Sequence, residues 1–166
     1  RIKINNEKTY SSKVHALDLK TGYWYELEDM PQAQEAKGIL VGDHIYLIGG
    51  YKTTALKEIQ NYNITTGAWH TEGELLYATE RPALAYHKNI IYIFEGDKIQ
   101  TYNVKTKEIK NFQINLFLKN SELFCIDNKL YILGGAETSE TLILPSQHLY
   151  CIDLHEFQIT AQSDRD

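Results

Sequence analysis

The stretch 41-VGDHIYLIGGY-51 contains the pattern from which the fold is predicted. Four consecutive apolar residues, 45–48, lead into the glycine pair Gly49 and Gly50. A strand without polar alternation needs cover on both of its faces. The glycines are expected to end this strand where side chains would crowd or where φ must become positive. The pattern therefore predicts a short, doubly covered strand.

The phrase recurs along the chain, at 88–97 and at 127–136, with Glu95 in place of one glycine in the first of these copies. A fainter copy opens the chain at 1–6, with Asn5 and Asn6 at the glycine positions, and asparagine also tolerates positive φ. The second glycines are 46 and 39 residues apart: Gly50, Gly96 and Gly135. Spacings of this size indicate a repeat architecture.

A second phrase has a similar period, with ALDLKTGYW at 16–24 matching NYNITTGAW at 61–69 and TYNVKTKEI at 101–109. A shorter version, CIDLHEFQI, lies at 151–159. Each copy has an Asx residue before a predicted tight turn, where its side chain can bond the following backbone. These residues are Asp18, Asn63, Asn103 and Asp153.

A third phrase precedes each glycine phrase and leads into a two-residue turn: Gly42-Asp43, Lys88-Asn89 and Asp127-Asn128. Such pairs are typical of β-hairpins. Each unit is therefore predicted to hold four strands, in one case AKGILV, HIYLIGG, EIQNYNI and AWHTEG. Repeated four-stranded units of 40–50 residues predict an all-β fold, a β-propeller of antiparallel blades.

The order of strand, glycine pair, tyrosine and tryptophan resembles the kelch repeat of the galactose oxidase central-domain-like superfamily. Gly49, Gly50, Tyr62 and Trp69 fit it in full. The first and last units depart from it, with Leu17 and Ile152 at the tyrosine position, and the last two units lack the tryptophan. The WD40 alternative requires Gly-His and Trp-Asp pairs in each repeat, and the sequence has neither.

The whole chain, 1–166, is predicted to be a single kelch-like propeller region of about four blades, of which the first is incomplete. The predicted blades lie at approximately 1–29, 36–72, 81–113 and 121–160. Three arrangements stay open: a closed four-bladed ring, a half-ring that pairs with a second copy, and a fragment of a longer propeller. A partial propeller or half-ring is favoured, and its open apolar blade faces would promote self-association.

Composition restricts the classes of function. A net charge of -5 argues against a nucleic-acid surface, which needs a basic face. No apolar stretch reaches the roughly 18 residues of a membrane span, and no signal peptide is recognised. The chain begins without Met, which indicates a processed, trimmed or longer protein. The cellular compartment stays undetermined.

Binding is expected at the end of the blades where the long connections lie, because long loops on a rigid scaffold commonly form binding sites. Cations recur at the predicted starts of the first strands, where they would line a central channel and suit an anionic ligand. Pairing of each cation with the nearby Glu35, Glu80 or Glu122 is the favoured explanation. Two tyrosines are placed in loops of the same rim. The candidate binding residues are Lys37, Tyr51, Tyr77, Arg81 and Lys119.

No catalytic motif, cofactor or metal site is predicted, and the six histidines show no ligand spacing. His44 and His87 are interpreted as solvated turn residues. The resemblance also includes a copper-containing enzyme, but nothing here matches its ligand set. The leading prediction is a non-catalytic module, a scaffold that binds a protein or peptide. The alternative is a carbohydrate-active propeller similar to sialic acid mutarotases, in which Arg81 with Glu80 or Glu35 would act on an acidic sugar.

Overall fold

The computed structural model describes residues 2–4, 7–138 and 143–155. Every named element in these ranges is a β-strand. The strands are β1 (Ile2–Ile4), β2 (Glu7–Thr9), β3 (His15–Leu17), β4 (Trp24–Glu26), β5 (Glu35–Val41), β6 (His44–Tyr51), β7 (Leu56–Asn63), β8 (Ala68–Thr79), β9 (Ala83–His87), β10 (Ile90–Asn103), β11 (Ile109–Leu118), β12 (Glu122–Ile126), β13 (Lys129–Leu133), β14 (Ala136–Thr138), β15 (Ile143–Pro145) and β16 (Leu149–Asp153).

The strands form small antiparallel sheets in two compact units. The first unit contains residues 1–74 and 78–80, and the second contains 75–77 and 81–166. The sheet β5-β6-β7-β8 has the predicted up-and-down order of four strands. The all-β prediction and the repeated antiparallel sheets are thereby confirmed.

Strand β10 is a hairpin, although it runs without interruption over 14 residues. The amide of Val104 donates to the carbonyl of Asn89 over 2.9 Å. An extended chain would separate these residues by about 50 Å, so β10 must fold back on itself. Its first half pairs with β9 and its second half with β11. The sheet of β9, β10 and β11 therefore also has four strand segments, as the repeat predicts.

The turn chemistry read from the sequence is confirmed. Both residues of Lys88-Asn89 have positive φ, as do both residues of Asp127-Asn128, whereas only Gly42 of the first pair does. These values are typical of type I′ and type II′ hairpin turns. The side-chain oxygens of Asn63 and Asn103 each accept two backbone amides of the following turn over 2.9–3.1 Å.

The glycine pair Gly49-Gly50 has the crowded, positive-φ environment that was predicted, with φ of 59° and 114°. A Cβ on Gly49 would lie 2.1 Å from Oγ1 of Thr79, and one on Gly50 would lie 2.2 Å from the carbonyl oxygen of Glu35. The strand continues past the pair to Tyr51. The glycines therefore permit close contact between neighbouring strands, and they do not end β6.

The second unit has a core between two sheets. Ala85, Tyr92 and Phe94 of the β9-β10-β11 sheet belong to the same buried cluster as residues of β12 and β13. The latter are Leu123, Leu130 and Ile132, with exposures of 4%, 0% and 0%. Strands β9 and β12 are in contact, so the two sheets pack face to face through these side chains.

The first repeat differs from its prediction as a three-stranded unit. Strand β1 pairs with β2, and β3 pairs separately with β4, giving two two-stranded sheets. Leu17 occupies the place of the repeat's tyrosine beside Trp24, and both side chains are exposed, at 40% and 66%. In the next repeat the rings of Tyr62 and Trp69 lie 4.9 Å apart. The missing aromatic pair is consistent with a weaker first sheet.

Two predicted loops are strands. Most of the stretch 73–80 belongs to β8, which pairs with β7 as far as Thr79. The stretch 115–120 largely belongs to β11, which ends at the buried Leu118. A third predicted loop, 136–147, contains the ribbon β14-β15. Asn5, Asn6, the predicted fourth strand of the last blade and the polar end 161–166 lie outside the described residues.

Candidate functional site

Tyr77 lies in β8 and not in a loop, so that part of its prediction is wrong. Its backbone is held by the side-chain amide of Gln100, which is 2% exposed. The amide of Tyr77 donates to Oε1 of Gln100, and Nε2 of Gln100 donates to the carbonyl of Tyr77, both over 2.9 Å. These two hydrogen bonds have the pattern of a pairing between strands, and they hold the end of β8 in place. The ring itself is 48% exposed on this fixed backbone.

A charged pair adjoins the ring of Tyr77. Nζ of Lys98 lies 5.3 Å from the ring centroid, within the range of a cation–π contact. The same ammonium group donates to Oδ1 of Asp97 over 2.6 Å. Hydrogen bonds from Lys98 and then from Gln113 lower the pKa of Asp97 from its ordinary value of 3.8. The end of β8 and the turn within β10 therefore bring an aromatic ring, an ammonium group and a carboxylate together.

Arg81 lies four residues after Tyr77, in the short connection from β8 to β9. Its backbone amide donates to Oε1 of Glu95 over 2.9 Å, and its side chain is half-buried. Glu95 precedes the turn within β10 that contains Asp97 and Lys98. We call Tyr77, Arg81, Glu95, Asp97 and Lys98 the β10-turn cluster. All five belong to the second unit.

The other three predicted binding residues lie elsewhere. Lys119 belongs to the second unit and forms a backbone bridge with Ala136, with bonds of 3.1 and 2.8 Å. Lys37 is an exposed residue of β5 in the first unit. Tyr51 is the last residue of β6 in the same unit, so its predicted place in a loop is also wrong. Its ring packs edge-on against Tyr10 at 6.4 Å. A binding role for these residues stays a prediction.

The turn histidines are not simply solvated, which corrects their interpretation. Nδ1 of His44 lies 2.9 Å from Oδ1 of Asn61, and Nδ2 of Asn61 donates to Oε1 of Glu72 over 2.6 Å. Since Asn61 directs its NH₂ group to the carboxylate, its oxygen faces His44 and Nδ1 carries the proton. Nε2 of His87 lies 3.2 Å from Oδ1 of Asn128. Both rings are half-buried.

Sequence reasoning missed Gln100, Lys98 and Asp97. Gln100 had a signal, since an Ile-Gln pair recurs at the same place in β7, where Gln60 is 3% exposed. A repeated polar residue inside an otherwise buried strand indicates a specific hydrogen bond. Lys98 and Asp97 had no such signal in the sequence, because their contacts depend on where β8 ends.

The described ranges contain neither a metal-binding set of side chains nor a membrane-spanning helix. No set of three or more His, Cys, Asp or Glu side chains in this part of the chain is arranged to hold a metal ion. The same residues contain no helix with the length and apolarity of a membrane span. Cys125 and Cys151 are free thiols on β12 and β16, with β13 between them.

Comparison with known proteins agrees with this architecture. No protein-family model matches the chain. The chain is 25% identical over 164 residues to the Kelch repeat and BTB domain-containing protein 2 of Ectromelia virus (strain Moscow), with 82% of this chain covered. Among solved structures it is similar to that of YjhT, with a TM-score of 0.74, 14% identity and 84% of this chain covered. The chain spans 28% of the length of the viral protein and 59% of the YjhT chain.

The fold is that of a kelch-repeat β-propeller, and the described sheets are a partial set of its blades. The resemblance drawn from the repeated glycine, tyrosine and tryptophan positions is confirmed. A fold of this kind supports a protein-interaction module in general.

Proposed function

We propose that this chain is a non-catalytic kelch-repeat binding module that recognises a protein or peptide partner through the β10-turn cluster. The observation that carries this proposal is Tyr77, a half-exposed aromatic side chain on a backbone fixed by two hydrogen bonds from a buried amide. Tyrosine and arginine are enriched among the residues that dominate binding energies. A fixed backbone also reduces the conformational entropy lost on binding.

The charges of the cluster indicate what a partner would present. Lys98 and Arg81 are cationic residues; the ammonium group of Lys98 donates to Asp97, and the backbone amide of Arg81 donates to Glu95. A partner segment with a carboxylate and an apolar side chain would pair with the cations and cover the ring of Tyr77. Lys37, Tyr51 and Lys119 are proposed as further contacts. An acidic sugar is the alternative ligand, and self-association through open blade faces is a further proposal.

The proposal is tested by selecting peptides from a random display library on the immobilised chain and measuring their dissociation constants by calorimetry. Tyr77→Ala and Arg81→Ala should each weaken the enriched peptides by about tenfold or more, equivalent to about 1.4 kcal/mol. Tyr25→Ala is the matched control, since Tyr25 is exposed to a similar extent, 50%, in the first unit. It should leave affinity unchanged.

Equal losses in all three variants, or no enrichment of any peptide, would contradict the proposal. Circular dichroism of each variant verifies that the sheets remain folded. A separate NMR measurement of N-acetylneuraminic acid anomerisation tests the carbohydrate-active alternative. A rate that rises with protein concentration, and falls in Arg81→Ala, would replace the binding module with that enzyme.

A further inference from the structure

The last part of β11 alternates between packed and exposed side chains. Ile114 and Leu116 pack against the core of the second unit, whereas Gln113, Asn115 and Phe117 are exposed. Alternate residues of a strand point to one side of its sheet. We therefore call Gln113, Asn115 and Phe117 the β11 row. At about 3.3 Å per residue, the row is about 13 Å long.

The β11 row lies on the same side of its sheet as part of the β10-turn cluster. Gln113 is directly opposite Lys98 in the pairing of β10 with β11, so these two side chains point to the same side. The ammonium group of Lys98 lies over the ring of Tyr77, and the side chain of Gln113 forms a hydrogen bond with Asp97. The row therefore starts at the cluster and continues along β11 beside the turn within β10.

Phe117 is a second half-exposed aromatic side chain at this turn. Its ring packs against Gly96, where a Cβ would lie 3.5 Å from Cε2 of Phe117. The Cα atoms of Gly96 and Lys98, two residues apart, are separated by at most about 7 Å. Phe117 is 45% exposed and Tyr77 is 48% exposed. Two aromatic rings therefore adjoin the same short turn, one at Gly96 and the other at Lys98.

The molecule itself shows how a side-chain amide on this side of the sheet holds an extended backbone. Gln100 points to the same side as Lys98, two residues away. It exchanges two hydrogen bonds with the backbone of Tyr77. Gln113 and Asn115 carry the same kind of amide group on the exposed β11 row. Such an amide has both donors and an acceptor, so it can pair with an N–H and a C=O of a bound chain.

We propose that the β11 row and the β10-turn cluster form one elongated site, whose occupant is a peptide segment of a protein partner in an extended conformation. This site rests on the proposed binding function, to which it adds a second aromatic contact. One apolar side chain of the segment covers the ring of Tyr77, and another covers the ring of Phe117. The amides of Gln113 and Asn115 bond to the backbone of the segment, and Lys98 pairs with its carboxylate.

The experiment uses peptides enriched from a random display library on the immobilised intact chain, with dissociation constants measured by calorimetry. Phe117→Ala should weaken these peptides by about fivefold or more. Phe124→Ala is the matched control, because Phe124 is a 48% exposed phenylalanine in another sheet of the same unit, and it should leave affinity unchanged. Asn115→Ala should weaken them by about twofold to tenfold, and an unchanged affinity would contradict the backbone contact.

A double-mutant cycle assigns each ring to one end of the peptide. Replacing the apolar residue at one end by alanine should weaken binding to the unaltered chain by about fivefold or more. The same replacement should have no further effect on binding to Phe117→Ala. The apolar residue at the other end should behave in the same way towards Tyr77→Ala. Circular dichroism verifies that each variant is folded.

Peptides that lose affinity in Tyr77→Ala and keep it in Phe117→Ala would overturn the elongated site and leave the proposed function in place. A loss that Phe124→Ala reproduces would also overturn it, since the effect would not belong to the β11 row. Additive effects in the cycle would show that the peptide does not span the two rings. If no peptide is enriched, the proposed function fails, and the elongated site fails with it.

Discussion

The first half of β10 and strand β13 are copies of one phrase in different surroundings. Ile91, Tyr92, Ile93 and Phe94 are 0–2% exposed, so that segment of β10 is covered on both faces. In β13 the pattern alternates, with Leu130 and Ile132 fully buried while Leu133 is 49% exposed. The same sequence pattern thus gives a doubly buried strand in one sheet and a half-buried strand in the next.

The difference shows what apolar residues on both faces of a strand indicate. They indicate that both faces need to be packed against other residues, and not that both faces are packed. A strand buried on both faces reads as a continuous apolar run, and β13 has such a run although only one of its faces is packed. Strand β6 is intermediate, since Tyr46 and Ile48 are buried while Ile45 and Leu47 are only half-buried. What stacks on a sheet, and not its own sequence, determines how much of the pattern is buried.

The largest expected effect comes from truncating equivalent residues in the two strands. Phe94→Ala removes a side chain that is 1% exposed in the second unit's core and should lower the free energy of unfolding by about 3–5 kcal/mol. Leu133→Ala removes one that is half-exposed, and the loss should be below about 1 kcal/mol. Urea denaturation at low protein concentration, followed by circular dichroism, measures both. Equal losses would show that the two environments do not differ as described.

Local chemistry explains which parts of the fold the sequence predicts well. Asx turns and two-residue hairpin turns depend on a few adjacent residues, and Asn63, Asn103, Lys88-Asn89 and Asp127-Asn128 all behave as expected. The four-strand unit follows from these turns, because they determine where consecutive strands reverse. The repeat then allows the four-strand unit to be predicted for sheets whose own sequence is less regular.

Strand lengths and the candidate site were less predictable because they depend on distant contacts. The sequence predicts a connection at 73–80 that contains Tyr77, yet Gln100, 23 residues further on, holds Tyr77 in an extended conformation. Strand β11 was cut short although its burial alternates as far as Leu118. The nearness of Lys98 to the ring of Tyr77 follows from the same distant pairing. Its role in binding stays a proposal.

The turns that follow the two compared strands should differ in their tolerance of a side chain. A Cβ on Gly135 would lie 2.3 Å from Oγ of Ser121 and 2.8 Å from the carbonyl oxygen of Lys119, at a φ of 92°. A Cβ on Gly96, with φ of 68°, would meet only the ring of Phe117 at 3.5 Å, an ordinary contact.

Gly135→Ala should therefore cost about 2–4 kcal/mol, because the backbone must move as well as adopt a strained φ. Gly96→Ala should cost about 1–2 kcal/mol, from the left-handed conformation alone. Both are measured by the same denaturation experiment. If Ser121→Ala restores part of the loss in the Gly135→Ala background, the collision with Oγ is its cause. A greater loss in Gly96→Ala would contradict the difference.

The smallest expected effect comes from the charged residues of the turn within β10. The Gly134-Gly135 turn after β13 has no charged residue. Hydrogen bonds from Lys98 and Gln113 hold the pKa of Asp97 below 3.8 in the folded chain. A lowered folded-state pKa stabilises the fold fully above the unfolded pKa, and this contribution is lost as pH falls through the folded pKa.

Lys98→Met should raise the titration midpoint of Asp97 towards 3.8, as measured by NMR of its carboxyl carbon, and should reduce the loss of stability below that pH. Gln113→Ala should raise the midpoint less, since Lys98 is the larger cause. Lys119→Met, on a different connection, should leave it unchanged. Were the midpoint to stay low in Lys98→Met, the ammonium group would not be the dominant partner, and its place above the ring of Tyr77 would need another explanation.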